Sequence, residues 1–102
     1  MYRFERSARI KPGKDRNALE FALKVAHYLE ENYSLPIEVF TEYFGKTGTV
    51  YWHVEYDDLS SFERVTDKLR SDTKYNKILA DVPDLFIEGT LKDTLLRSQS
   101  RK

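Results

Sequence analysis

Tyr51, His53 and Glu55, each two residues from the next, form the chain's clearest candidate for acid–base chemistry. An imidazole titrates near neutral pH and suits proton abstraction. A neighbouring phenol can orient a hydroxyl-bearing aromatic compound, and a carboxylate can hold the imidazole. On a strand this spacing puts all three on one face, with successive Cα atoms about 6.5–7 Å apart. The N-terminal segment supplies a matching set, because Arg3, Glu5, Ser7 and Arg9 alternate with Tyr2, Phe4, Ala8 and Ile10. In an enzyme, Tyr51 and His53 would orient or deprotonate the substrate. Arg3 or Arg9 would stabilise the developing oxyanion, and Glu5 and Glu55 would complete a polar substrate-binding wall. The competing explanation is cross-strand salt bridging on a solvated or water-filled face, which requires no ligand. On that view His53 is an ordinary surface or interface histidine.

Positioning these groups is the work of four strands and two helices. Period-two alternation makes Tyr2 to Ile10 a strand, with Arg6 interrupting its apolar set, and Lys11-Pro12-Gly13-Lys14 ends it. Asp15 opens a helix running to about Tyr33, with Leu19, Ala22, Val25, Ala26, Leu29 and Tyr33 as its apolar stripe and Phe21, Lys24 and Tyr28 on its outer side. Pro36 breaks the helix. Ile37 to Phe44 and Thr49 to Tyr56 form a hairpin through Gly45-Lys46-Thr47-Gly48. Asp57, Asp58 and Ser60 open a second helix, whose stripe is Phe62, Val65 and Leu69. Asp72 and Thr73 mark a kink or restart, Tyr75, Ile78, Leu79 and Val82 continue an apolar face, and Pro83 stops it. Leu85 to Leu91 is expected to be the fourth strand. A single domain over residues 1–96 precedes a flexible polar tail at 97–102.

The order β-α-β-β-α-β predicts an α+β, ferredoxin-like fold, a four-stranded antiparallel sheet with two helices on one face and the first and third strands central. Phe4, Ala8, Ile10, Val50, Trp52 and Val54 then face the helices, and the Arg3, Glu5, Arg9, Tyr51, His53 and Glu55 set faces away. Burying charges of that kind requires cross-strand partners, water or a polar ligand.

Composition narrows the setting. The chain of 102 residues is the size of one domain. It carries 17 basic and 17 acidic residues and no cysteine. The even balance argues against a nucleic-acid partner, and no apolar run reaches the ~20 residues of a membrane span. The charged N-terminus does not read as a signal peptide, so the expected localisation is cytoplasmic. Seven Tyr, six Phe and one Trp are the one compositional skew, and aromatics both favour strands and line ligand cavities. Gly45-Lys46-Thr47 lacks the rest of a phosphate-binding loop, since Phe40 stands where the first glycine is needed and a strand follows. No metal-ligand spacing and no nucleophile elbow is present, so neither a metal nor a cofactor is expected.

Four segments in order resemble the dimeric α+β barrel superfamily, which includes antibiotic-biosynthesis monooxygenase-like domains, NIPSNAP-type domains and stress-responsive barrels. They are the first strand leading into Lys11-Pro12-Gly13-Lys14, Val54-Glu55-Tyr56-Asp57-Asp58-Leu59, Ser71-Asp72-Thr73-Lys74-Tyr75, and Leu85-Phe86-Ile87-Glu88-Gly89-Thr90. The resemblance implies a homodimer packed through the open sheet faces, with one pocket per subunit. It implies a small-molecule-pocket protein, extending to a cofactor-free monooxygenase-like or isomerase-like enzyme on an aromatic or polyketide-like compound. A non-enzymatic structural or stress-associated dimer is the alternative. Haem binding or degradation is a further branch, which in such families uses a helical histidine. His27 is the only helical histidine here, and it lies ~130° from the predicted apolar stripe.

Overall fold

The computed structural model describes residues 1–100. Four strands, β1 (Tyr2–Arg9), β2 (Ile37–Thr41), β3 (Thr49–Tyr56) and β4 (Lys92–Arg97), form one antiparallel sheet in the order β2-β3-β1-β4. The first and third strands are central, and the ferredoxin-like α+β architecture follows. Helix α1 (Asp15–Tyr33) crosses over after β1. Helix α2 (Leu59–Arg70), α3 (Thr73–Ile78), a single 3-10 turn and the short α4 (Val82–Leu85) lie between β3 and β4.

The register fixes which side chains share a face. Phe4 pairs with Val54, Arg6 with Trp52 and Ala8 with Val50, all on the helix side. Arg3 pairs with Glu55, Glu5 with His53 and Ser7 with Tyr51 on the other side.

Helix α1 is set tightly on the sheet. Ala18, Phe21, Ala22, Val25 and Leu29 are its buried residues. The stripe is therefore rotated from the expected one. Phe21 is buried rather than outward, and Leu19 is exposed. The reason is steric: Ala18 and Ala22 are the residues that let the helix backbone approach, so the phase follows the alanines rather than the largest aliphatics. Trp52 Nε1 donates to the Ala22 carbonyl at 3.2 Å across that close contact. Phe21, Trp52 and Phe86 meet edge to face, with ring centroids 5.8–6.4 Å apart, a favoured aromatic geometry. The helix ends at Ser34, whose left-handed φ of 51° directs its N–H back to Glu30.

Other expectations about the elements are corrected. The fourth strand lies at Lys92–Arg97, not Leu85–Leu91. Leu85 ends α4, and Phe86 makes only an isolated bridge with Ile10. Gly89 then takes a φ of 83°, and Thr90 turns back onto the Ile87 carbonyl, so the segment cannot continue as a strand. Pro83 opens α4 instead of ending a helix, since its fixed φ and missing N–H suit a first turn. Strand β2 stops at Thr41, leaving Tyr43 and Phe44 almost wholly exposed in the hairpin loop. Arg97, expected to begin the tail, pairs with Tyr2, and the Ser98 N–H reaches the Met1 carbonyl at 2.9 Å. The end of that expected tail, residues 101 and 102, lies outside the described residues.

Candidate functional site

Helix α2 has the apolar stripe expected of it, yet none of its 12 residues is buried. Phe62, Thr66 and Leu69 instead border a cavity of about 1070 Å³ between α2 and the sheet. Its floor is made by the helix-facing side chains of the central strands, among them Phe4, Trp52, Val54 and Tyr56. Tyr75 of α3 and the Phe86–Leu91 segment close its other sides. The volume is at the upper end of the range of small-molecule pockets, and aromatic walls of this kind are common in them.

One polar corner interrupts this lining. Arg6, the residue that broke the apolar alternation of β1, faces the cavity. Its Nε donates to Asp93 Oδ1 at 2.7 Å and its Nη2 to Oδ2 at 2.8 Å, a bidentate pair across β1 and β4. This geometry gives direction as well as strength. Hydrogen bonding to Asp93 raises the Arg6 pKa further, so its charge is permanent. Arg6 Cζ sits 5.6 Å from the Phe4 ring centroid. Burial raises the Tyr75 pKa despite the neighbouring Arg6, and burial also raises that of Tyr56. Both phenols are therefore protonated at neutral pH and present O–H groups to the cavity. A corner with guanidinium and phenol donors can bind a carbonyl or hydroxyl oxygen. The only sequence sign of it was Arg6, a charge at an apolar position of β1.

Behind this wall lies a second polar cluster. Asp72 caps α3 by accepting the Tyr75 N–H at 3.0 Å. Its carboxylate also accepts the Tyr28 hydroxyl at 2.7 Å and the Tyr33 hydroxyl at 2.5 Å, both from α1. Donation from Tyr33, then from the Tyr75 N–H and Tyr28, lowers the Asp72 pKa. Tyr33 is pushed up to about 12 by desolvation and by the Asp72 bond.

The expected polar residues gather on the opposite, open face of the sheet. Arg3 Nη2 donates to Glu55 at 2.5 Å, and His53 Nε2 lies 2.7 Å from Glu5. The Phe40 ring packs against His53 with centroids 4.8 Å apart. Tyr51 stands edge-on to His53, with ring centroids 6.3 Å apart, and its hydroxyl donates to Glu42 at 2.5 Å, a bond that lowers the Glu42 pKa and raises that of Tyr51. Arg9 has a buried Nε without a partner. None of Arg3, Glu5, Arg9, Tyr51, His53 and Glu55 lines the large cavity. His27 is on the outer surface beside Glu31, its side chain 72% exposed. Among the described residues there is no group of three or more His, Asp and Glu suited to a metal ion, and no helix is long and apolar enough to cross a membrane.

No protein-family model and no curated protein sequence matches the chain. Solved structures do. An uncharacterised NIPSNAP domain protein from Burkholderia xenovorans superposes with a TM-score of 0.82 at 18% identity, over 98% of this chain and 96% of the other. A NIPSNAP family protein from Agrobacterium tumefaciens gives 0.73 at 20% identity, covering 94% and 90% of the two chains. An antibiotic biosynthesis monooxygenase gives 0.73 at 13% identity over 98% and 100%. The chain thus has the ferredoxin-like α+β fold seen in NIPSNAP domain and antibiotic biosynthesis monooxygenase structures.

Proposed function

We propose that this protein takes up an aromatic, largely apolar small molecule in the cavity between the sheet and α2, and acts on it as a cofactor-free monooxygenase-like or isomerase-like enzyme. The observation that carries this reading is the cavity itself, about 1070 Å³ of mostly aromatic and aliphatic wall with one ion-paired corner. A planar ring system would lie between Phe62 and the floor at Trp52 and Tyr56. A carbonyl or hydroxyl oxygen would accept hydrogen bonds from Arg6 and Tyr75, beside the Arg6–Asp93 ion pair. The fold shared with an antibiotic biosynthesis monooxygenase supports the reaction class. Haem is not part of the proposal, because the helical His27 points to solvent, away from the cavity.

The test is titration with 1-anilinonaphthalene-8-sulfonate, following its directly excited emission. Saturable binding that Thr66→Trp abolishes, with the far-UV spectrum unchanged, is the expected result. Binding of equal strength in Thr66→Trp would place the probe elsewhere and sink the reading.

A second reading concerns the open face. The Arg3–Glu55 ion pair and the His53–Glu5 hydrogen bond satisfy groups that a second copy would cover. This favours a cytoplasmic homodimer closed through that face, in which Tyr51 and His53 stay candidates for chemistry on a polar ligand at the interface. Sedimentation velocity tests it. His53→Glu would add a carboxylate opposite Glu5 and Glu38 and should convert a dimer to monomer. A wild-type monomer at micromolar concentration would refute the dimer.

A further inference from the structure

Helix α2 is attached to the rest of the molecule in an uneven way. At its N-terminal end Asp58 caps the helix by accepting the Ser61 N–H at 2.8 Å, a bond local to the helix. The tertiary contact there is Phe62, whose ring meets Phe4 and Tyr56 at centroid distances of 5.6 and 5.3 Å. Its C-terminal end, by contrast, leads through Ser71 into the Asp72 cluster. Two hydroxyls of α1 and one backbone N–H converge on that carboxylate. Asn76 adds a staple from α3, donating to the Asp72 carbonyl at 2.9 Å and the Arg70 carbonyl at 3.2 Å. Between these ends Val65 packs against the Leu35–Val54–Tyr56 cluster, while Thr66 and Leu69 border the cavity. Ser71 and Asp72 are also where helical geometry lapses, with Asp72 in an extended conformation at φ −82° and ψ 103°.

From this asymmetry we infer that α2 is a movable wall, pivoting about the Asp72 cluster and closing on the bound molecule, with Phe62 as its latch. The inference rests on reading the cavity as a ligand site. No residue of α2 is fully buried, and the side chains it packs on the core, Phe62, Val65 and Leu69, are only partly so; an element held in this way belongs to the less stable part of a fold. Side chains around an unfilled apolar space lack neighbours on one side, and a ligand supplies them. Closure is thus driven by packing of the stripe against the ligand itself. The hinge is set by charge-assisted hydrogen bonds that do not depend on the cavity being filled.

The absence of cysteine from the chain permits site-specific spin labelling without background. Labels at Glu63→Cys on α2 and Glu31→Cys on α1 report the wall, and labels at Glu31→Cys and Lys92→Cys report the α1-to-sheet distance as a control. In the full chain, saturating 1-anilinonaphthalene-8-sulfonate should narrow and shift the first distance distribution and leave the second unchanged. Backbone amides of α2 should exchange at least tenfold more slowly with the probe bound, while those of α1 change less than twofold. Tyr28→Phe combined with Tyr33→Phe should broaden the first distribution without the probe and weaken probe binding severalfold. Saturable binding in the cavity with no change in α2 distance or exchange would overturn the moving wall and leave the ligand site intact. Failure of the probe to bind the cavity would overturn both.

Discussion

Helices α1 and α2 are both amphipathic and both lie over the same face of the sheet, yet α1 buries five residues there and α2 fully buries none. The difference is in side-chain size at the contact. Helix α1 places Ala18 and Ala22, both with no exposed surface, against the strands, and its backbone comes close enough to bond the Trp52 indole. Helix α2 contains no alanine, and its stripe begins with Phe62, which props the helix on Phe4 and Tyr56. Periodicity tells which side of a helix faces inward. It does not tell how deep the helix sits, and here depth separates a structural element from a functional one.

The sharpest way to break this comparison is to make the same truncation in both helices. Phe21→Ala should cost about 3–5 kcal/mol, as for a buried aromatic. Phe62→Ala should cost roughly 1 kcal/mol, because its ring is only half-buried. Urea denaturation of the two variants measures both, and equal losses would mean that α2 is as much a part of the core as α1. Next in size is the effect of adding volume. Ala22→Leu should destabilise by about 1–3 kcal/mol through overpacking, whereas Thr66→Leu, entering open space, should change stability by less than ~1 kcal/mol.

A smaller effect concerns the cluster that joins the two helices. Asp72 has a lowered pKa, so its bonds stabilise the fold above the ordinary carboxylate pKa and are lost as pH falls through the folded value. Tyr33 has a raised pKa, so its contribution is complete below the ordinary phenol value and is lost as pH rises through about 12. The Tyr33–Asp72 bond therefore stabilises between these limits. Tyr33→Phe should lower the melting temperature within that window and converge on wild type at either extreme. A constant difference from acid to alkaline pH would assign the loss to packing and not to this hydrogen bond. Smallest of all is the open face, where the exposed Arg3–Glu55 pair is screened by solvent. Arg3→Gln should leave the urea midpoint of the isolated chain unchanged within error.

Much of the fold was legible because strand alternation and helix boundaries are local properties. Tyr2 to Arg9, apart from Arg6, and Thr49 to Tyr56 alternate, and that pattern decides which side chains share a face. The fourth strand was misplaced because Leu85-Phe86-Ile87 has strand-like side chains, while the lower-contrast Lys92–Arg97 segment owes its strand to pairing with β1. The polar groups of the open face were readable for the same local reason. The cavity was not, because its existence depends on how far α2 stands from the sheet. Arg6 was visible only as an irregularity in a strand, and its meaning required Asp93, 87 positions away. Asp72 was readable as a break in the helix, but its two tyrosine donors come from a helix 39 and 44 residues earlier.

The unburied stripe of α2 also has a consequence for how such a protein can change over generations. Substitutions at core positions are filtered by foldability first, so they vary little whatever the ligand. Phe62, Thr66 and Leu69, which border the cavity and are not fully buried, meet a weaker filter. The inner surface of this one helix can therefore drift toward new molecules while the rest of the chain continues to fold as before.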